Sequence, residues 1–111
     1  MNGVTFFQKH LQEIKTDPGS GSTYWSVNSG SMSFTWFEVP PNSAFSVHTH
    51  PNEQITYVLE GKLFFESEGR TYSLRKGDCI VIPPDAPHRA WTTELGARAV
   101  DAWCPPNQQY E

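Results

Sequence analysis

From residue 33 onward, apolar and polar side chains alternate in runs of four to seven residues, and each run stops at a turn former. Period-two alternation marks a strand with one buried face, and punctuation at this spacing belongs to antiparallel sandwiches and small barrels. The candidate strands are Ser33 to Val39, Phe45 to Thr49, Gln54 to Leu59, Lys62 to Ser67, Arg70 to Leu74, Cys79 to Ile82, His88 to Thr92 and Ala97 to Trp103. Between them stand Pro40-Pro41-Asn42, His50-Pro51-Asn52, Glu60-Gly61, Glu68-Gly69, Lys76-Gly77-Asp78, Pro83-Pro84-Asp85 and Glu94-Leu95-Gly96.

The first third reads differently. Phe7, Leu11 and Ile14 fall at i, i+4, i+7, which gives one apolar stripe on a short helix or, equally, an irregular arm. Thr16 to Ser33 is crowded with Gly, Ser, Asp, Asn and Pro, and only Tyr24-Trp25-Ser26-Val27 can form a strand within it. The expected organisation of the 111 residues is therefore one all-β domain: an arm and loop-rich entrance strand over 1–32, a barrel over 33–106 and a C-terminal tail over 107–111.

Composition agrees with this picture. Charged residues are 18%, below the usual roughly 25%, while Phe 7, Trp 4 and Tyr 4 favour pleated, half-buried surfaces. The net charge of −4 and the lack of any basic cluster beyond Arg75-Lys76 leave no footprint for a phosphate backbone, so nucleic acid is not an expected partner. No apolar run approaches the roughly 20 residues that span a bilayer, and the segment MNGVTFFQKH lacks a signal-peptide pattern, so a cytoplasmic chain with no membrane partner is expected. Cys79 and Cys104 have no CxxC spacing and read as buried free thiols.

Three of the four histidines carry the chemistry. His48 and His50 lie two apart in a strand-like run, which puts both imidazoles on one face with Cα atoms about 6.6 Å apart, in reach of one ion. Gln54 follows at the start of the next strand and offers an amide oxygen, although Glu53 competes with it because Pro51 interrupts the alternation. His88 comes just after a proline-rich turn and can arrive from the opposite side if the barrel closes. Imidazole suits Zn, Cu, Fe and Ni, and a carbonyl oxygen adds tolerance for Mn, so one divalent metal ion of undetermined identity is the expected cofactor. His10 stands outside this pattern.

The run HTHPNEQITYVLEG from His48 to Gly61, followed by GDCIVIPPDAPH from Gly77 to His88, resembles the two motifs of the cupin superfamily, G(x)5HxH(x)3-4E(x)6G and G(x)5PxG(x)2H(x)3N. The resemblance covers residues 33 to 106 and implies an antiparallel double-stranded β-helix, the jelly-roll barrel, with the ion inside on His48, His50, Gln54 and His88. The sequence departs from the motifs at Asn42, Gln54, Asp85 and Thr92, where they carry Gly, Glu, Gly and Asn. Within the superfamily, the cupins that process unsaturated uronates from pectin or alginate have a closely similar first motif and a D-x-aromatic-S-P-x-R ending. The corresponding residues here run from Asp101 through Trp103 to Asn107, with Asn in place of the arginine. Asn cannot pair bidentately with a carboxylate, so a neutral substrate of aromatic, polyketide-like or keto-sugar type fits as well as a uronate.

Three histidines and a neutral amide leave a divalent ion its full charge, which suits Lewis-acid chemistry of the isomerase or lyase kind on a small oxygenated substrate. The expected proton carriers are Asp101 first, then Glu38 and Tyr57, with Phe34, Trp36 and Trp103 as candidate pocket walls. A metal-dependent dioxygenase is the second reading, and its usual two-histidine, one-carboxylate set would need Glu53. A non-catalytic sugar- or small-molecule-binding cupin is the third. Exposed barrel edges and the aromatic segment around Phe6-Phe7 point to a homodimer.

Overall fold

The computed structural model describes residues 3–111, and among them strands dominate. In chain order these are β1 (Lys15–Thr16), β2 (Thr23–Asn28), β3 (Ser33–Val39), β4 (Ala44–His48), β5 (Glu53–Ser67), β6 (Arg70–Arg75), β7 (Cys79–Ile82), β8 (His88–Trp91) and β9 (Ala97–Cys104). All pairings are antiparallel, and the sheet curls into a jelly-roll half-barrel.

The long strand β5 organises the barrel. Its first half pairs with β9 and β7, its second half with β6 and β8, so one strand serves two walls. The expected turn at Glu60-Gly61 is instead the bend between them: the register against β9 shifts between Val58 and Glu60, and Gly61 sits at φ 77°. A Cβ on Gly61 would lie 2.0 Å from the Gly96 carbonyl oxygen, so the corner needs glycine both for its backbone angle and for this close approach.

Alternation sets what faces inward. Gln54, Thr56 and Val58 of β5 are buried, as are Ala97, Ala99, Asp101 and Trp103 of β9. On β3 the buried set is Ser33, Thr35, Phe37 and Val39, fixed by the register that places Thr35 opposite Asp101. Phe37, Phe65, Leu63, Leu74 and Ile82 complete the apolar filling. The segment after β9 folds back as a short 3-10 turn (Gln108–Tyr110), and buried Tyr110 packs edge-on against Phe37 at 5.0 Å and stacks with Trp103 at 5.9 Å.

One open alternative is decided here and one expectation, the burial of the cysteines, is corrected. Of the two readings of the Phe7–Leu11–Ile14 stripe, the irregular arm is the one observed: only a 3-10 turn (Lys9–Leu11) forms there, with no buried residue. Cys79 and Cys104 are free but exposed, since both fall on the outward parity of their strands.

Candidate metal centre

His48 and His88 sit directly opposite each other in the β4–β8 pair, and the turn after β4 carries His50 to the same end of the barrel. That turn is anchored: Asp85 N–H donates to the His50 carbonyl at 2.9 Å, and the Asn52 side chain donates to the carbonyls of Pro105 and Pro106. The ligand-type nitrogens of the three histidines all lie within 4.8 Å of one another.

Their tautomers follow from their partners. Nδ1 of His48 meets the Ser46 carbonyl at 2.6 Å, Nδ1 of His50 the Asn52 carbonyl at 3.0 Å and Nδ1 of His88 the Ala86 carbonyl at 2.9 Å. A carbonyl only accepts, so each Nδ1 carries a hydrogen and each Nε2 is left to face the others. Burial lowers the pKa of His88, and its two histidine neighbours lower it further, against the Ala86 contact that raises it; the ring is held neutral, as a metal ligand must be.

Gln54 joins this cluster and Glu53 does not. Gln54 is buried, and its Oε1 lies 2.9 Å from His50 Nε2, whereas Glu53 is on the outward parity of β5. The amide nitrogen of Gln54 donates to Thr56 Oγ1 at 2.9 Å, and the Thr56 hydroxyl donates to Asp101 Oδ1 at 2.6 Å. When the His50 ring is neutral, two lone pairs face each other across 2.9 Å, those of His50 Nε2 and Gln54 Oε1. Such a pair repels unless a cation lies between or beside them. Three imidazole nitrogens and an amide oxygen converging on one point fit a divalent ion.

Behind the cluster lies an inner cavity of about 40 Å³, lined by His48, Gln54, His88, Asp101, Trp103 and Tyr110. That is room for a water or two, and the side that opens to solvent is at exposed His48. Asp101 is buried here, and burial pushes its carboxyl up to about 7, with the Thr56 hydroxyl opposing the rise. Trp103 packs edge-on against His50 at 5.3 Å, and its indole N–H donates to Thr35 Oγ1.

The other expected site residues lie elsewhere. Phe34, Trp36 and Glu38 occupy the outward parity of β3; Trp36 stacks on Trp25 at 4.3 Å, and Glu38 pairs with Arg98 at 3.4 Å. Tyr57 points outward from β5 and is 40% exposed. None of the four reaches the cluster, because the register with β9 gives the interior to Thr35 and Phe37 instead. Thr56 and Tyr110, absent from the expected set, do line or support the site. Thr56 was detectable by its parity, two residues beyond Gln54, while Tyr110 follows no strand pattern.

The family model of the cupin domain matches residues 35–102. The chain belongs to the cupin family. Among curated relatives, this cupin is 40% identical over 50 residues to polyketide synthase CurC of Streptomyces cyaneus, covering 44% of this chain and 32% of that protein. It is 38% identical over 63 residues to acireductone dioxygenase of Phaeosphaeria nodorum, covering 52% and 36%. The chain thus spans about a third of the length of these relatives. Among solved structures, KdgF from Halomonas sp. superposes with a TM-score of 0.85 at 23% identity, covering 96% of this chain and 98% of that one. The polyketide cyclase RemF from Streptomyces resistomycificus superposes at 0.79 with 25% identity, covering 92% and 80%.

The departures from the cupin motifs have structural explanations. Asn42 and Asp85, at the glycine positions, adopt φ 52° and 64°, a left-handed conformation that Asn and Asp tolerate better than other side chains. Thr92 is buried, donating to the Pro40 carbonyl and accepting from Ser43 N–H, so it ties two turns together. Asn107, at the arginine position of the uronate-type ending, is buried and caps the last turn by accepting from Gln109 N–H.

Proposed function

We propose that this cupin is a small metalloenzyme that holds one divalent ion on His48, His50, Gln54 and His88 and catalyses non-redox isomerase- or lyase-type chemistry on a small oxygenated substrate. The observation that carries the reading is a donor set with no anionic member beside a buried carboxyl whose pKa lies near neutrality. When bound, the ion supplies Lewis-acid polarisation of a substrate oxygen.

The chain's own residues do the rest. Without the ion the buried Asp101 carboxyl populates both forms near pH 7; with the ion held it stands ionised and serves as the base that takes a proton from the substrate. Trp103, Phe37 and Tyr110 give the cavity apolar walls that exclude bulk water. A cavity of about 40 Å³ does not enclose a sugar or an aromatic polyketide, so the substrate engages from the His48 side with only its reacting group inside. With Asn107 committed to its cap, no cation stands at the position where uronate cupins carry arginine, which supports a neutral substrate. The names of CurC and RemF fit a polyketide-like substrate.

A dioxygenase is the second reading, favoured by the match to acireductone dioxygenase but opposed by a ligand set without a carboxylate. The test has two parts. Elemental analysis of the purified chain should show about one equivalent of divalent metal, lost in His50→Ala/His88→Ala. A panel of keto-sugars, polyketide-type phenolics and uronates, screened by thermal shift and then for turnover without oxygen, should give turnover that Asp101→Asn abolishes while metal is kept. Turnover that requires oxygen moves the assignment to dioxygenase, and ligand binding without turnover moves it to a binding cupin.

A further inference from the structure

The Thr56 hydroxyl has one proton and stands between two partners. When Asp101 is ionised its carboxylate only accepts, so the proton goes to Asp101 Oδ1 at 2.6 Å, and a Thr56 lone pair is left for the Gln54 amide at 2.9 Å. A hydroxyl lone pair accepts N–H and repels C=O, which decides which end of the carboxamide turns inward and which turns to the histidines. We propose that Thr56 and Asp101 are positioning residues that hold the Gln54 amide with its oxygen toward the three imidazoles. The proposal rests on the metal reading above.

Without the Thr56 oxygen nothing prevents the amide from turning over. Its NH2 then donates to His50 Nε2, now 2.9 Å from Oε1, and so occupies the very lone pair an ion needs. One hydroxyl two residues from a ligand therefore sets both the third oxygen donor and the availability of a nitrogen donor. Groups that orient metal ligands in this way are worth about 10–100-fold in affinity.

The test is the dissociation constant for Co²⁺ or Mn²⁺, measured on the full chain by competition with a chromophoric chelator. Thr56→Val removes the hydroxyl at equal volume and should weaken binding 10- to 100-fold, while Thr56→Ser, which keeps it, should stay within about 3-fold of wild type. A Thr56→Val protein that is folded by circular dichroism and binds as tightly as wild type overturns the positioning role and leaves the metal reading intact. Loss of affinity in both variants also overturns it, since the hydroxyl would then not be what matters. A wild-type chain that binds neither ion overturns both. If Thr56→Val does not fold, Thr56→Ala and Thr56→Ser make the same comparison.

Discussion

Replacing Asp101 by asparagine isolates the cost of a buried carboxylate. In the folded chain its pKa stands at about 7 against 3.8 unperturbed, a gap of about 3 units, because burial penalises the charged form. At about 1.4 kcal/mol per unit this is about 4 kcal/mol. The folded state binds the proton more tightly than the unfolded one, so the stabilisation is complete below about pH 4 and is lost as pH rises to about 7. Asparagine keeps the acceptor for Thr56 and has no charge to bury. The stability of Asp101→Asn minus that of wild type should therefore climb by up to about 4 kcal/mol between pH 4 and pH 8.5, which at a urea m-value of about 2 kcal/mol/M is a midpoint difference of about 2 M. His88, whose lowered pKa makes stability fall on acidification, is common to both proteins and cancels. The measurement is urea unfolding across this range with chelator present. Parallel pH profiles for the two proteins would refute the burial argument.

Other outcomes follow from the same geometry. His88→Ala should lower the unfolding temperature of metal-loaded protein far more than that of chelated protein, because an ion at 100 times its dissociation constant stabilises the fold by about 2.7 kcal/mol; calorimetry with and without chelator separates the two. Gly61→Ala should cost at least about 2 kcal/mol, since its Cβ meets the Gly96 carbonyl at 2.0 Å and its φ is positive; chemical denaturation reads this, and a loss under 1 kcal/mol would mean the corner relaxes freely.

Most of the barrel was legible because its strands are short and each ends at a turn former. The three-histidine cluster was legible because His48 and His50 share a parity and His88 follows a rigid turn. Parity within a run, however, does not say which face is inward. On β3 the even positions Phe34 and Trp36 are the more apolar, yet Thr35 and Phe37 hold the interior, because the register with β9 aligns Thr35 with Asp101. A sheet apolar on both faces defeats the usual inference from hydrophobicity to burial. The bend in β5 looked like a turn because glycine marks both, and Tyr110 was missed because its burial depends on where the chain returns after β9, which no local period encodes.

Gln54 and Asp101 also bind two equilibria together. With Asp101 protonated, its hydroxyl can donate to Thr56, Thr56 to Gln54 Oε1, and the amide NH2 to His50 Nε2, which closes the site to a cation. With Asp101 ionised, every donor in the chain reverses and the amide oxygen faces the histidines, as seen here. An ion in the cavity favours the ionised form by its charge as well. Loading should therefore expel the Asp101 proton. At pH 6 a group with a pKa of about 7 is about nine-tenths protonated, and at pH 8.5 it is almost wholly ionised. Calorimetric titration of metal into the chain in buffers of different ionisation enthalpy counts the protons released. Wild type should release close to one more proton than Asp101→Asn at pH 6 and no more than it at pH 8.5. Equal counts at pH 6 would mean that the carboxyl keeps its proton in the loaded site, and that Gln54 takes its orientation from the ion alone.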